Sequence, residues 1–284
     1  MKSSVGKDGF SVDYDSHVHS SYSPDSEMSP GRACEAAIRR GLRGLCFTDH
    51  AEFAPGDFIP RSEDLEAMFE EVTELRRLHR GELRVGAGIE IGYYAGQAAD
   101  IRALLASYPF DFVLGSVHVV DGLQYCFDGP GSWDAEAYYD RYLDVMEEML
   151  GSFEMDAVGH FDLPKRFGPL LRTPDGERVG GLEPGSVLWP RVQKILRAVV
   201  QGGWMLEVNG SGLRQPPGKP YPSVGILREY RAVGGSQVTL GSDSHATESL
   251  GQGLVEAAAS AFRAGICTQV WTDGGKPLYI SLGV

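Results

Sequence analysis

Residues 42–50, LRGLCFTDH, form a short apolar run that ends in the polar pair Asp49 and His50. The apolar part, Leu42–Thr48, has the length and composition of a buried strand. A predicted helix, Pro30–Arg40, comes directly before it along the chain. This unit, in which a helix leads into a strand that ends in polar residues, recurs along most of the chain and indicates an α/β protein.

The alternation predicts seven strands. They are Phe10–Asp15, Leu42–Thr48, Leu83–Ile91, Asp111–Val117, Met155–His160, Trp204–Val208 and Gln237–Gly241. The predicted helices are Pro30–Arg40 (capped by Ser29), Arg61–Arg80 (capped by Ser62), Gln97–Ser107, Ala135–Leu150, Ser186–Gln201, Ser223–Val233 and Glu248–Ala264. A long loop is expected over Lys165–Pro184, and two short extended pieces over Gln269–Thr272 and Leu278–Ser281. Seven such units favour a closed parallel barrel, and since no Pro-, Gly- and Ser-rich linker divides the chain, we expect one domain over residues 1–284.

Composition excludes several classes of protein. The chain of 284 residues carries a formal net charge of −13 and lacks the basic stripe of a nucleic-acid-binding groove. No apolar run approaches the roughly 18 residues of a membrane span, and no apolar segment of a secretory signal is present, so the expected location is the cytoplasm. The four cysteines form no CxxC pair and are expected to be reduced and mostly buried. The oligomeric state stays open.

Six of the seven histidines follow predicted strands. They are His17, His19, His50, His118, His160 and His245, and the carboxylates Glu90 and Asp243 have similar positions. In a parallel barrel the carboxyl ends of the strands share one face, where active sites are built. In His17-Val18-His19 two imidazoles two residues apart point the same way, and Asp243-Ser244-His245 repeats this geometry. Imidazole and carboxylate together suit Zn, Mn or Fe better than Mg or Ca. The sequence therefore predicts a centre with several divalent cations.

These residues resemble, in order, the metal-binding motifs of the PHP (polymerase and histidinol phosphatase) superfamily. The matching motifs are His17-x-His19, Thr48-Asp49-His50, Glu90, His118, His160 and Asp243-x-His245. The resemblance extends from about residue 13 to residue 255. It implies a distorted (β/α)7 barrel, of the TIM-like type, that holds two or three metal ions.

Further motifs are similar to the histidinol-phosphate phosphatase branch of that superfamily. They are Phe161-Asp162 with Arg166, the run Glu207–Arg214, and Ser242–His245 followed by Leu250-Gly251. The resemblance implies three sets of ligands. The first set is His17, His19, Glu90 and Asp243; the second set is Glu90, His118 and His160, with Glu90 bridging; the third set is Asp25, His50 and His245.

Other polar residues near this face have candidate roles. We expect Arg166 and Arg214 to bind the substrate phosphate, because the planar guanidinium matches phosphate oxygens; surface salt bridges are the alternative. Asn209 is a candidate for substrate binding or, like Glu207, for orienting ligands. Asp49 either orients a ligand histidine or caps its loop. The expected catalytic residues are Glu90, Arg166 and Asp243, and Asp243 is the candidate proton donor to the leaving alcohol.

The resemblance implies a metal-dependent phosphomonoesterase that hydrolyses L-histidinol phosphate to L-histidinol and phosphate, in histidine biosynthesis. Paired cations can hold a bridging hydroxide as the nucleophile at neutral pH. Three alternatives stay open: a PHP phosphoesterase for another small ester such as a nucleotide or sugar phosphate, a non-catalytic metal-binding module, and an exonuclease, which the acidic composition disfavours. The stretch Gly168–Gly185 is a further reason to test the substrate, because a substituted loop can change specificity.

Overall fold

A computed structural model describes residues 12–125, 129–131, 133–173, 175 and 177–283. Within them the chain forms fourteen strands. The strands are β1 (Tyr14–Val18), β2 (Gly44–Phe47), β3 (His50–Glu52), β4 (Arg84–Gly92), β5 (Phe112–Ser116), β6 (Val119–Val120), β7 (Leu123–Gln124), β8 (Ala157–Val158), β9 (Leu170–Arg172), β10 (Arg178–Gly180), β11 (Met205–Asn209), β12 (Val238–Gly241), β13 (Thr268–Asp273) and β14 (Lys276–Ser281).

Seven of these strands form the predicted parallel sheet. Their order is β1-β2-β4-β5-β8-β11-β12, and every ladder between neighbours is parallel. The seven-stranded α/β architecture is therefore confirmed. The short strand β3 pairs with the far end of β4 and was not predicted.

The barrel closes irregularly between β12 and β1. At the carboxyl ends, Asp243 N donates to His17 O (2.8 Å) and His19 N donates to Ser244 O (2.9 Å). At the other end β13 pairs with β12, and the Gln269 amide donates to Tyr14 O (3.0 Å). The barrel is distorted because these backbone hydrogen bonds and the inserted strand β13 close it, rather than a full ladder between β12 and β1.

Seven α-helices connect the strands within the described ranges. They are α1 (Pro30–Arg39), α2 (Ser62–Leu78), α3 (Ala98–Ser107), α4 (Ala135–Leu150), α5 (Trp189–Gly202), α6 (Val224–Ala232) and α7 (Leu254–Arg263). Buried apolar residues of these helices pack with those of the strands in one large cluster. Ser29 caps α1 as predicted, accepting from Arg32 N. The predicted cap Ser62 is wrong: Ser62 is the first helical residue, and Arg61 precedes it without a side-chain cap bond.

Several predicted boundaries also need correction. The first strand was predicted over Phe10–Asp15, of which residues 10 and 11 lie outside the described part. Strand β1 extends to Val18 because Val18 still pairs with Phe47, so His17 lies in the strand rather than after it. The stretch predicted as a long loop, Lys165–Pro184, contains the end of a short 3-10 helix and the antiparallel pair β9–β10.

Two further observations concern the cysteines and membranes. Cys34 and Cys46 are buried free thiols, Cys267 is exposed, and Cys126 lies outside the described residues. None of the described helices combines the length and the apolar composition that crossing a bilayer requires.

Candidate metal centre

All nine predicted ligands lie together at the carboxyl ends of the parallel strands. Their donor atoms form groups whose members lie within 4.8 Å of one another. These groups are His17, His19 and Asp243; Glu90, His118 and His160; and His19, Asp25, His50 and His245. The parallel topology explains this meeting, because ligands far apart in sequence follow strands that end on the same face.

The first set lies around two imidazoles, that of His17 in β1 and that of His19, the residue directly after β1. His17 Nε2 lies 2.9 Å from His19 Nε2 and 3.3 Å from Glu90 Oε2. Asp243 Oδ1 lies 3.7 Å from His17 Nε2 and 3.4 Å from His19 Nε2. Ligand atoms at tetrahedral zinc lie about 3.3–3.6 Å apart, given zinc–ligand distances of about 2.0–2.2 Å. Most of these separations are close to that spacing, so the four side chains fit a metal ion.

Hydrogen bonds on the outer nitrogens orient both imidazoles. His17 Nδ1 donates to Glu207 Oε1 (2.6 Å), and Glu207 is fully buried. His19 Nδ1 lies 3.1 Å from Ser23 Oγ, which itself donates to Asp49 Oδ1 (2.9 Å). With both Nδ1 atoms facing oxygen atoms, the two Nε2 atoms face each other across the site, where a metal cation can bind both of them.

Asp49 supports a ligand histidine indirectly, and the loop that its carboxylate caps is the one after β1 rather than its own. Its carboxylate accepts from Ser20 N (2.5 Å) and Ser20 Oγ (2.8 Å), which fixes the loop after β1. Through Ser23 it also orients His19. Ser20 and Ser23 were not singled out in the sequence, because serine after a strand carries no distinctive signal.

Glu90 lies between the first and second sets. Its Oε2 faces the first set, and its Oε1 lies 3.0 Å from His160 Nε2 and 3.4 Å from His118 Nε2. The two histidines are themselves 3.2 Å apart, Nε2 to Nε2. Ser116 Oγ donates to Glu90 Oε1 (2.6 Å) and holds the carboxylate in this bridging position. The predicted bridging role therefore fits the geometry.

The charges of the first two sets depend on each other. Burial disfavours ionisation of Glu90, but His17, His118 and His50 hold its pKa well below the usual range. Burial also opposes the charge on His17, yet Glu207, Glu90 and Asp243 raise the pKa of His17 well above its usual value. These carboxylates create a strong demand for positive charge, which divalent cations can satisfy.

The third set is the most accessible. Asp25 Oδ2 lies 3.0 Å from His245 Nε2 and 3.5 Å from His50 Nε2, and its side chain is 45% exposed. The His19 ring stacks on both His50 and His245, with centroids 4.2 and 4.0 Å apart. His19, a predicted ligand of the first set, therefore also borders the third set.

Sequence reasoning missed Glu52, the last residue of β3. Its Oε1 accepts from His118 Nδ1 (2.7 Å) and lies 2.9 Å from His50 Nδ1. Burial would raise the pKa of Glu52, but the two imidazoles lower it to about 2. Glu52, His50 and His118 form a fourth group of potential ligands. The spacing His50-Ala51-Glu52, two residues apart in an extended segment, was the signal that could have identified it.

Residues 15–211 match the sequence profile of the PHP domain. The chain belongs to the PHP domain family. The match ends before Asp243 and His245, which join the centre through the fold.

Named relatives of this PHP protein are phosphatases. The histidinol-phosphatase of Lactococcus lactis is 31% identical over 237 residues, covering 81% of this chain and 83% of the relative. A probable histidinol-phosphatase of Deinococcus radiodurans is 31% identical over 240 residues, covering 81% and 85%. The crystal structure of the Lactococcus lactis histidinol phosphate phosphatase, in complex with Zn, L-histidinol and phosphate, superposes with a TM-score of 0.76 at 26% identity, covering 94% of this chain and 98% of that one.

A cavity of about 520 Å³ opens over the metal centre of this PHP domain. Ligands from all three sets line it, together with Arg166 and Arg214. Arg166 is half-buried at the end of the 3-10 helix Leu163–Arg166 that follows His160. The two predicted phosphate-binding residues therefore lie in the same cavity as the ligands.

Arg214 also supports the loop that carries Asp243. Its Nη2 donates to Ser242 O (2.8 Å) and Asp243 O (3.1 Å). Asp243 has a left-handed backbone (φ +52), which is uncommon for a residue other than glycine. By binding these carbonyls, Arg214 stabilises the backbone conformation that directs the Asp243 carboxylate to the first set.

Asn209 does not have the exposed position that contact with a substrate would require. It is fully buried, and its amide donates to Glu207 Oε2 (3.1 Å) and Asp243 Oδ2 (3.3 Å). Its oxygen accepts from Ser211 N (2.8 Å). These bonds favour the alternative prediction, that Asn209 orients ligand-supporting carboxylates, over direct contact with substrate.

Proposed function

We propose that this PHP protein is a metal-dependent histidinol-phosphate phosphatase, which hydrolyses L-histidinol phosphate to L-histidinol and phosphate. The observation that carries the proposal is one cavity in which three ligand sets face two arginines. The relatives named histidinol-phosphatase, at 31% identity over most of both chains, support the substrate. Zn, Mn or Fe would fit the mixed imidazole and carboxylate donors.

The chain's own residues explain how a phosphate monoester would be held. When bound, the cations would supply a hydroxide nucleophile at neutral pH and positive charge for the phosphoryl oxygens. Arg166 and Arg214 line the cavity wall, and a guanidinium can make two-pronged contact with phosphate. Because both terminal nitrogens of Arg214 already donate to backbone carbonyls, Arg166 is the better candidate for that contact. Asp243 lies at this wall, but its predicted role as proton donor to the leaving alcohol does not fit its surroundings. Burial disfavours its ionisation, yet His17, His19 and His245 hold the pKa of Asp243 well below its usual range, so its carboxylate carries no proton to donate. A single domain over residues 1–284 and a cytoplasmic location stay predictions from the sequence.

A panel of phosphate esters tests the substrate. We expect kcat/KM for L-histidinol phosphate to exceed that for nucleotide monophosphates, sugar phosphates and p-nitrophenyl phosphate by at least about 100-fold, as expected when a site binds the substrate's polar groups specifically. The measurement is phosphate release by the metal-loaded protein. If histidinol phosphate ranks no better than the generic esters, the substrate assignment is wrong although the phosphatase assignment can stand.

Replacing each arginine separates phosphate binding from support of the metal centre. We expect Arg166→Gln to raise KM about 10- to 100-fold, the value of one or two charge-assisted hydrogen bonds, with the metal content unchanged. Arg214→Gln should weaken both substrate and metal binding, because Arg214 also holds the Ser242 and Asp243 carbonyls. Steady-state kinetics and elemental analysis of both variants check this. Equal loss of metal in the two variants would contradict the assigned roles.

A further inference from the structure

Glu52 lies where two of the ligand sets meet. Strand β3 runs parallel to β4 with His50 opposite Glu90 and Glu52 opposite Gly92. His50 and Glu52 are two residues apart in a strand, so their side chains project to the same side. Glu52 is only 8% exposed. A carboxylate buried this deeply beside ligand histidines requires bonding partners, and both of its partners are imidazoles.

One oxygen of Glu52 contacts two histidines that serve different sets. Its Oε1 lies 2.7 Å from His118 Nδ1 and 2.9 Å from His50 Nδ1. The opposite nitrogen of His118 faces Glu90 and His160 in the second set. The opposite nitrogen of His50 faces Asp25 in the third set. The same carboxylate oxygen therefore hydrogen-bonds the ring of His118 and lies in ion-pair contact with the ring of His50, whose Nδ1 also lies 3.1 Å from Glu90 Oε2.

Gly92 provides the space for this carboxylate. A Cβ at Gly92 would overlap the Glu52 carboxyl group, with its nearest atom at 1.7 Å. Gly92 lies in the regular ladder of β4, and its φ is not among the positive values of the chain. The backbone does not need glycine at this position, so the absent side chain is what matters. This observation is independent of the contacts to histidine.

We propose that Glu52 is a positioning residue that couples metal binding at the second and third sets. A carboxylate that accepts from the outer nitrogen of a ligand histidine fixes its tautomer and increases its basicity, and its loss typically costs about 10- to 100-fold in metal affinity. Because Glu52 serves both sets, its loss weakens both together. The first set keeps its own supports, Glu207 and Ser23. This inference rests on the metal dependence in the proposed function and not on the identity of the substrate.

The experiment compares isosteric variants of two supporting carboxylates. Chelator-stripped wild type, Glu52→Gln and Glu207→Gln are titrated with Zn²⁺ in competition with a chromophoric chelator. We expect Glu52→Gln to weaken two binding events by at least about 10-fold each and to leave one unchanged. Glu207→Gln, the comparison variant, should instead weaken mainly the event at the first set, because Glu207 Oε1 bonds the His17 ring, whereas its Oε2 accepts only from the backbone N–H of His160 in the second set (2.8 Å). Gly92→Ala, which keeps the carboxylate but displaces it, should reproduce the Glu52→Gln pattern.

The alternative outcomes are distinct. If all binding events of Glu52→Gln match wild type, or all weaken equally together with a lower melting temperature of the metal-free protein, the coupling role is wrong. Either result leaves the proposed function standing, provided that the wild type binds zinc and releases phosphate. If the wild type binds no zinc, the inference and the metal dependence of the proposed function fail together.

Discussion

Removing the metal ions is expected to abolish phosphate release and to lower the melting temperature of the protein. Without cations, the buried Glu90 and Glu207 and the nearby Asp243 depend on protonated histidines for compensating charge. A ligand that binds only the folded state at about 1000 times its Kd stabilises that state by about 4 kcal/mol. For a chain of this size we therefore expect the melting temperature to fall by roughly 5–10 °C. Dialysis against a chelator, followed by a phosphate assay and calorimetry, measures both effects.

Two controls separate metal loss from other effects of the chelator. Chelator already saturated with zinc should leave activity unchanged, and adding Zn²⁺, Mn²⁺ or Fe²⁺ to stripped protein should restore it. Lowering the pH from 7 to 5 should release metal and activity together, because histidine must be deprotonated to bind a metal and its pKa is ordinarily about 6.5. Full turnover by protein that elemental analysis shows to be metal-free would overturn the metal-dependent mechanism.

The placement of the ligands could be predicted from the sequence because it depends on two simple periodicities. Alternating helices and strands predict a parallel sheet, and the carboxyl ends of its strands share one face. Residues two apart in a strand, such as His17 and His19, point the same way. Neither inference needs accurate strand boundaries. Both therefore hold although β1 ends at Val18 rather than at the predicted Asp15.

Some of the residues that support the ligands, such as Asn209 and Glu207, were predicted, but several of the pairings that position such residues could not be, because the partners lie far apart in sequence. Strand β3 is three residues long and exists because β4 extends far enough to pair with it. Helix α7 begins at Leu254 rather than at the predicted Glu248, because Gly251 and Gly253 have left-handed backbones. Gly251 N also donates to Asp15 Oδ2 (3.2 Å), which fixes this segment to β1. The glycines were visible in the sequence, but their partner Asp15 lies 236 residues away.

Replacing Glu90 by Gln is expected to abolish measurable turnover while the fold is retained. Both carboxylate oxygens are engaged. Oε2 lies 3.3 Å from His17 Nε2 and 3.5 Å from His19 Nε2, and Oε1 lies 3.0 Å from His160 Nε2 and 3.4 Å from His118 Nε2. Glutamine has nearly the same shape but no negative charge. Its amide nitrogen can neither accept a hydrogen bond nor bind a cation. Loss of one preorganised electrostatic group costs about 100- to 1000-fold in kcat, and Glu90 serves two ligand sets, so we expect the upper end or more.

The matched control for this variant is Glu148→Gln on α4. Glu148 also bears structural hydrogen bonds, accepting from Tyr93 Oη (2.7 Å) and Gly96 N (3.1 Å), but it belongs to none of the ligand groups. We expect Glu148→Gln to keep kcat within about twofold of wild type, because it does not touch the groups that stabilise the reaction. Circular dichroism, elemental analysis and single-turnover assays on both variants distinguish loss of metal from loss of fold. Wild-type turnover in Glu90→Gln would show that the cluster is not the catalytic centre, since the Glu90 carboxylate contacts the Nε2 atoms of both His17 and His160.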